Sequence, residues 1–351
     1  MVDYLVVGLG LAGISFCEKL EAAGKSFMVI DDNSQRASAV AGGLYNPVIL
    51  KRCTMAWKAR EQMELAIPFY EGLERKLGVK LDYKLPVLRK FASVAEQNLW
   101  FEAAGKKDLD YYLSTKILAN NNPHLNIPFG LGKVRYTGRI ATKTLLKSYK
   151  THLCQNKKYH GETFNFKAMV LDKDTVVYEG LRAKNLVFAE GYGMQQNPFF
   201  NYLPLNGTKG ELLTVYAPEL KAPNVVKSSV FIIPLGEDRY RVGATYKWKD
   251  KTNTPTEESK KELMEKLNSL ITCTYEVEDH VAGVRPTVAD RRPLVGRHPV
   301  HTNLYVLNGF GSRGVLIAPY AADQLLAFIE KGIPLDVEMD ISRCTKKYFQ
   351  G

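Results

Sequence analysis

Between Tyr111 and His160 this 351-residue chain has no Asp or Glu, against nine Lys and Arg, although its overall charged content is an ordinary 24%. Other scarcities exclude whole function classes. The five cysteines (Cys17, Cys53, Cys154, Cys273, Cys344) are odd in number and scattered, without a C-x-x-C pair. That argues against a disulfide scaffold and predicts reduced structural thiols in a cytoplasmic protein. The six histidines show no metal-ligand spacing, so no metal site is expected, and no cysteine is placed as a nucleophile. No apolar run approaches the ~18 residues needed to span a bilayer, so no membrane partner is expected. Met1 leads within two residues into an apolar run, which does not resemble a signal peptide. Internal repeats and low-complexity tracts are absent as well.

What is present begins at residue 3, with DYLVVGLGLAGISFCEKLEAAGKSFMVIDD. An apolar strand is followed by Gly8-Leu9-Gly10-Leu11-Ala12-Gly13, a helical segment, a second apolar run (27–30) and two carboxylates, Asp31 and Asp32. Each glycine has a physical task. Gly8 makes the tight turn, Gly10 lets a pyrophosphate approach the backbone, and Gly13 lets the helix pack on the strand. The amides of the helix start, including Leu11 and Ala12, face the phosphates. Asp31 is placed to accept from a ribose hydroxyl, which argues against a 2′-phosphate and hence against NADP. The pattern predicts a dinucleotide site.

The rest of the chain reads in order as follows. Small residues dominate 37–43, which suits backbone packed against something flat and bulky. A helix is expected over 55–77, then mixed structure with turns to 135, and a helix over 138–153. Short strands over 163–171 and 176–178 lead to an apolar strand, 184–189, that stops at Glu190-Gly191. Alternating β segments at 210–218, 228–235 and 239–248 predict an antiparallel meander, followed by a polar helix over 256–270. The chain returns through Gly283-Val284-Arg285-Pro286, a strand at 303–307, the turn Gly309-Phe310-Gly311-Ser312-Arg313-Gly314 and a helix over 318–330. Arg285, fixed by the following proline, suits bidentate carboxylate capture; its rival role is a salt bridge with an acid such as Asp290.

The pieces VVGLGLAG, SAVAGG at 38–43, FIIP with RYRVGATY, GVRPTVADRRPLVGRHP and GFGSRGVLIAP fall in order over nearly the whole chain. Together they resemble the D-amino-acid oxidase/glycine oxidase superfamily of FAD-dependent oxidoreductases. The resemblance implies an α/β fold: a discontinuous FAD-binding Rossmann-like domain (1–50, 136–200 and 281–351) plus an α+β substrate domain (51–135 and 201–280) with an antiparallel sheet. It implies FAD on Gly8, Gly10, Gly13 and Asp31, with Ser38, Ala41, Gly42 and Gly43 along the pyrophosphate and isoalloxazine. Gly191 would lie near the ADP portion, and Gly311, Ser312, Arg313, Gly314 and Val315 beside the flavin pyrimidine ring. Arg285 would grip a substrate carboxylate, with Arg313 as the second candidate. Phe231 stands where glycine oxidases carry a tyrosine, which speaks against free glycine itself.

The expected activity is oxidation of the C–N bond of a small amine, amino acid or N-substituted glycine. The 283–285 and 311–314 motifs are also similar to the oxidase domain of the bacterial enzyme that modifies methylaminomethyl-uridine in tRNA. Lys143, Lys147 and Lys150 recur at i, i+4 and i+7 in the acid-free stretch, so a tRNA partner is a second expectation and a solvated face the plain alternative. A flavoprotein that binds FAD only structurally is a third.

Overall fold

The computed structural model describes residues 1–172 and 175–349. Strand β1 (Val2–Val7) pairs in parallel with β2 (Phe27–Ile30) on one side and with the Leu181–Phe188 strand on the other. The Leu304–Asn308 strand adds in parallel beyond it. These strands belong to an eight-stranded sheet covered on both faces, so their side chains are apolar in both directions. Tyr4 and Val6 join the cluster under helix α1 (Leu11–Ala22) and the Gly314–Lys331 helix. Leu5 and Val7 join the opposite cluster with Phe164, Phe188 and Phe200. The Ala59–Leu77 helix lies on the outer side of the Gly314–Lys331 helix through Ala66, Tyr70 and Leu73.

That outer contact is held by a polar link as well. Pro319 sits inside the Gly314–Lys331 helix and has no N–H for the carbonyl of Val315. The Tyr70 hydroxyl donates to that carbonyl at 2.8 Å, in a buried position. A helix interrupted by proline is thereby left with its buried acceptor satisfied.

A second eight-stranded sheet runs in the order Glu276–Arg285, Thr208–Tyr216, Arg239–Gly243, Phe231–Gly236, Val225–Lys227, Val87–Lys90, Leu131–Val134, Leu113–Leu118. All neighbours are antiparallel except the parallel pair Val225–Lys227 and Val87–Lys90. The Glu257–Asn268 helix covers one face, burying Leu263 and Leu267 against Leu213, Val215 and Val242. Its Thr256 hydroxyl accepts from the Ser259 amide, the cap that starts it. The Glu276–Arg285 strand stays in this sheet through Arg285, across the expected boundary at 280/281.

Several expected elements move. The helix expected over 55–77 begins at Ala59, because Thr54–Met55 pairs with Val48–Ile49 and Lys58 takes a left-handed φ of 48°. Residues 138–140 are a strand between Leu44–Tyr45 and Asp82–Tyr83, and the helix there is Thr142–Gln155. Of 163–171 only Met169–Leu171 is strand; Phe164 and Phe166 instead stack in the aromatic cluster, Phe164 lying 4.4 Å from the Tyr178 ring. The last long helix begins at Gly314 rather than 318. No helix among the described residues is long and apolar enough to cross a membrane.

Candidate functional site

The carboxyl ends of β1, Leu181–Phe188 and Leu304–Asn308 open onto a cavity of about 560 Å³ whose other wall is formed by strands of the second sheet, through Gly210, Leu212, Phe231, Ile233 and Gly243. A crevice at the carboxyl ends of parallel strands is where such sheets hold ligands. Gly8 turns the chain out of β1 with φ 99°, and a Cβ on it would lie 2.5 Å from the Ala189 carbonyl oxygen. A Cβ on Gly13 would come within 2.0 Å of the Gly8 carbonyl, so α1 can lie this close to the strand end only with glycine there. Gly10 starts α1 in extended conformation. The Leu11 amide donates to the Ser38 hydroxyl at 3.1 Å, so one first-turn amide is already taken by the protein.

Asp31 ties the glycine turn to β2. Its two oxygens accept from the amides of Leu9 (3.0 Å) and Asn33 (3.1 Å), and burial raises its pKa. Asp32 accepts from the Ser34 amide and the Thr163 hydroxyl; burial opposes, yet these bonds leave its pKa lowered. Ala41, Gly42 and Gly43 also border the cavity. Part of the smallness of 37–43 answers to the protein itself. Gly43 backs onto the Ile140 carbonyl, Gly42 onto Ile233, and Gly283 leaves room for Ala37 and Val40.

Of the site residues expected from sequence, Gly8, Gly10, Leu11, Ala12, Asp31, Asp32, Ser38, Ala41, Gly42, Gly43, Gly191, Arg285, Gly311, Ser312, Gly314 and Val315 border this one cavity. Gly13 stands behind it, as a packing glycine. Arg313 is not brought to it. Its side chain is half-buried, its guanidinium donates to the Asn46 carbonyl at 2.6 Å, and desolvation pushes it down to about 10. That bond ties the start of the Gly314–Lys331 helix to the 44–49 segment.

Arg285 has no carboxylate partner among the described residues. Asp290, the rival partner, accepts from Arg343 instead, at 3.2 Å. The Arg285 guanidinium lies over the Tyr246 ring at 4.4 Å and donates to the Thr245 carbonyl at 3.3 Å. Gly210 makes its seat: a Cβ there would lie 1.9 Å from Nη2. Desolvation lowers its pKa. The result is a flat, oriented cation in an open cavity, the form that carboxylate capture requires.

Sequence reasoning missed Gly210, Lys227, Tyr246, Glu190 and Asn308, all of which border the cavity. Glu190 accepts from Asn197 at 2.7 Å, and burial pushes it up to about 7. Asn308 donates to the Gly191 carbonyl at 2.8 Å. The position of Glu190 at the end of a parallel strand was a usable signal; the other four depend on cross-strand neighbours. No group of three metal-ligating side chains occurs among the described residues.

Residues 3–327 match the family described as FAD dependent oxidoreductase (DAO). The chain belongs to this family. Two curated members of related sequence are the tRNA 5-methylaminomethyl-2-thiouridine biosynthesis bifunctional protein MnmC of Azoarcus sp. and the glycine oxidase of Bacillus subtilis. The first is 30% identical over 177 residues, covering 44% of this chain and 28% of that protein. The second is 30% identical over 144 residues, covering 39% and 38%. The matches thus span well under half the length of these relatives. Among solved structures, the iminodiacetate oxidase of Chelativorans sp. aligns with a TM-score of 0.79 at 18% identity, over 97% of this chain and 98% of that one. That likeness concerns the fold. The DAO family is FAD-dependent, and the cavity fits such a group: backbone approaches that a Cβ would fill at Gly8, a helix start at Gly10, and an acid beyond the second strand.

Proposed function

We propose that this FAD-dependent oxidoreductase oxidises the C–N bond of an amino acid or N-substituted glycine whose carboxylate is held by Arg285. The observation that carries the reading is the Arg285 guanidinium, seated on Gly210 and Tyr246 in the cavity without an acid partner among the described residues. The Gly8–Gly13 turn, Asp31 and Asp32 would hold the adenosine diphosphate half of FAD. Ala41, Gly42, Gly43 and the residues from Gly311 to Val315 would border the flavin. Bound there, FAD supplies a two-electron acceptor for the carbon beside the substrate nitrogen, and the resulting imine hydrolyses in water. The work left to the chain is orientation: Arg285 fixes the carboxylate, and with it the adjacent C–H, while the walls of Leu212, Ile233 and Phe231 keep the site apolar. No general base is needed for a neutral amine.

Anaerobic mixing of the yellow protein with a panel of amines tests this. Flavin bleaching by N-substituted glycines or amino acids, lost in Arg285→Ala at unchanged FAD content, is the expected result. Bleaching by amines lacking a carboxylate, or no dependence on Arg285, refutes it.

A tRNA-linked substrate is the second reading, favoured by the Thr142–Gln155 helix in the acid-free stretch. Lys143 and Lys147 are exposed there, whereas Lys150 lies 4.7 Å over the Tyr159 ring and is half-buried. The expected three-lysine stripe is therefore reduced to two open charges. A purely structural role for FAD is disfavoured by an open cavity that retains Arg285.

A further inference from the structure

We propose that the substrate carries a second anionic group, a carboxylate or a phosphate, and that Lys227 binds it. The inference rests on the reading of Arg285 as the carboxylate anchor and names the substrate class more narrowly.

Lys227 ends the Val225–Lys227 strand and borders the same cavity as Arg285. Its ammonium lies 4.6 Å over the Phe231 ring and donates to the carbonyl of its neighbour Ser228. It has no carboxylate partner among the described residues. The cations around it are matched: Lys266 pairs with Glu262, and Arg89 with Glu96. Desolvation, with Arg89 and Lys266 adding repulsion, pushes Lys227 down to about 8. A half-buried ammonium with one neutral acceptor costs free energy, and an anionic ligand would recover it.

Register places the two cations at a useful separation. Phe231 pairs with Lys227 on one side and with Gly243 on the other. The Arg285 side chain reaches over Gly210 to the Thr245 carbonyl, just beyond the end of the Arg239–Gly243 strand. The cationic heads thus sit over two strands separated by the Arg239–Gly243 strand, about two strand spacings apart across the sheet, roughly 10 Å. Phe231, Gly243 and Ala244 lie between them on the cavity wall. An N-substituted glycine with its second anion a few bonds beyond the nitrogen spans that gap. The phenyl ring of Phe231, which lacks a hydroxyl, supplies a face for the Lys227 ammonium.

The test uses the FAD-loaded protein and redox-inert probes, read by perturbation of the flavin spectrum. Butyrate copies N-methylglycine with CH₂ for NH, glutarate copies N-carboxymethylglycine, and 4-phosphonobutyrate places a phosphonate at the same point. Glutarate or 4-phosphonobutyrate should bind about 10- to 100-fold tighter than butyrate, the preference between the two identifying the anion. Lys227→Gln should bring that ratio to within about threefold of one, and Lys227→Arg should restore most of it. Arg285→Ala should weaken all three probes. If butyrate binds through Arg285 and neither dianion gains, or if Lys227→Gln leaves the ratio intact, the Lys227 subsite is overturned while the proposed function stands. If no probe binds in an Arg285-dependent way, the proposed function falls and the subsite with it.

Discussion

Glu190 is a half-buried acid at the cavity whose ionisation can be read without knowing the substrate. It stands where the Leu181–Phe188 strand meets the cavity, and burial moves its pKa from the ordinary 4.5 to about 7 despite the bond from Asn197. A raised carboxyl pKa means that folding disfavours the charged form. Its contribution is fully present below pH 4.5, where both states are protonated, and is lost as pH rises through about 7. At about 1.4 kcal/mol per pH step, the loss across that window comes to about 3 kcal/mol. Glu190→Gln keeps the acceptor for Asn197 and removes the charge. Relative to wild type, the variant should gain stability through the window and level off above pH 7.5. Urea unfolding at pH 5, 6, 7 and 8.5, at one fixed FAD concentration, measures the difference. A difference that stays flat with pH, or that favours wild type as pH rises, would refute the assignment of a neutral Glu190.

Three further outcomes follow from the geometry. Gly210→Ala should push the Arg285 guanidinium off its seat, and a displacement of about 1 Å should cost roughly 100-fold in kcat/KM for a carboxylate substrate with FAD content unchanged. Wild-type kinetics in that variant would show that Arg285 does not work from the observed position. Tyr70→Phe should leave the Val315 carbonyl buried without a donor beside Pro319, lowering unfolding free energy by about 1–3 kcal/mol in denaturant titrations; no loss would mean that the carbonyl finds another partner. If Lys143 and Lys147 contact tRNA phosphates, reversing both to Glu should flatten the log–log salt dependence of tRNA binding by roughly 1.4–1.8, measured by filter binding, whereas a solvated face predicts no change.

The β1–α1–β2 unit was legible in the sequence because its constraints are local. The Gly8, Gly10 and Gly13 spacing, the buried runs on either side and Asp31 interact within about thirty residues, and each is specified by backbone sterics or by an amide within reach. Where local propensity and tertiary pairing competed, the sequence reading slipped, as at 138–140, which became a strand because two distant segments flank it. The far wall of the cavity was not legible at all. Arg285 and Arg313 both sit beside turns in an arginine-rich stretch, and nothing local tells which faces ligand. Tertiary structure decided it, by laying Gly210 and Tyr246 under one guanidinium and the Asn46 carbonyl beside the other. Lys227 entered the site for the same reason: strand pairing sets Phe231 between it and Gly243, and a cross-strand neighbour has no signature in the sequence that precedes it.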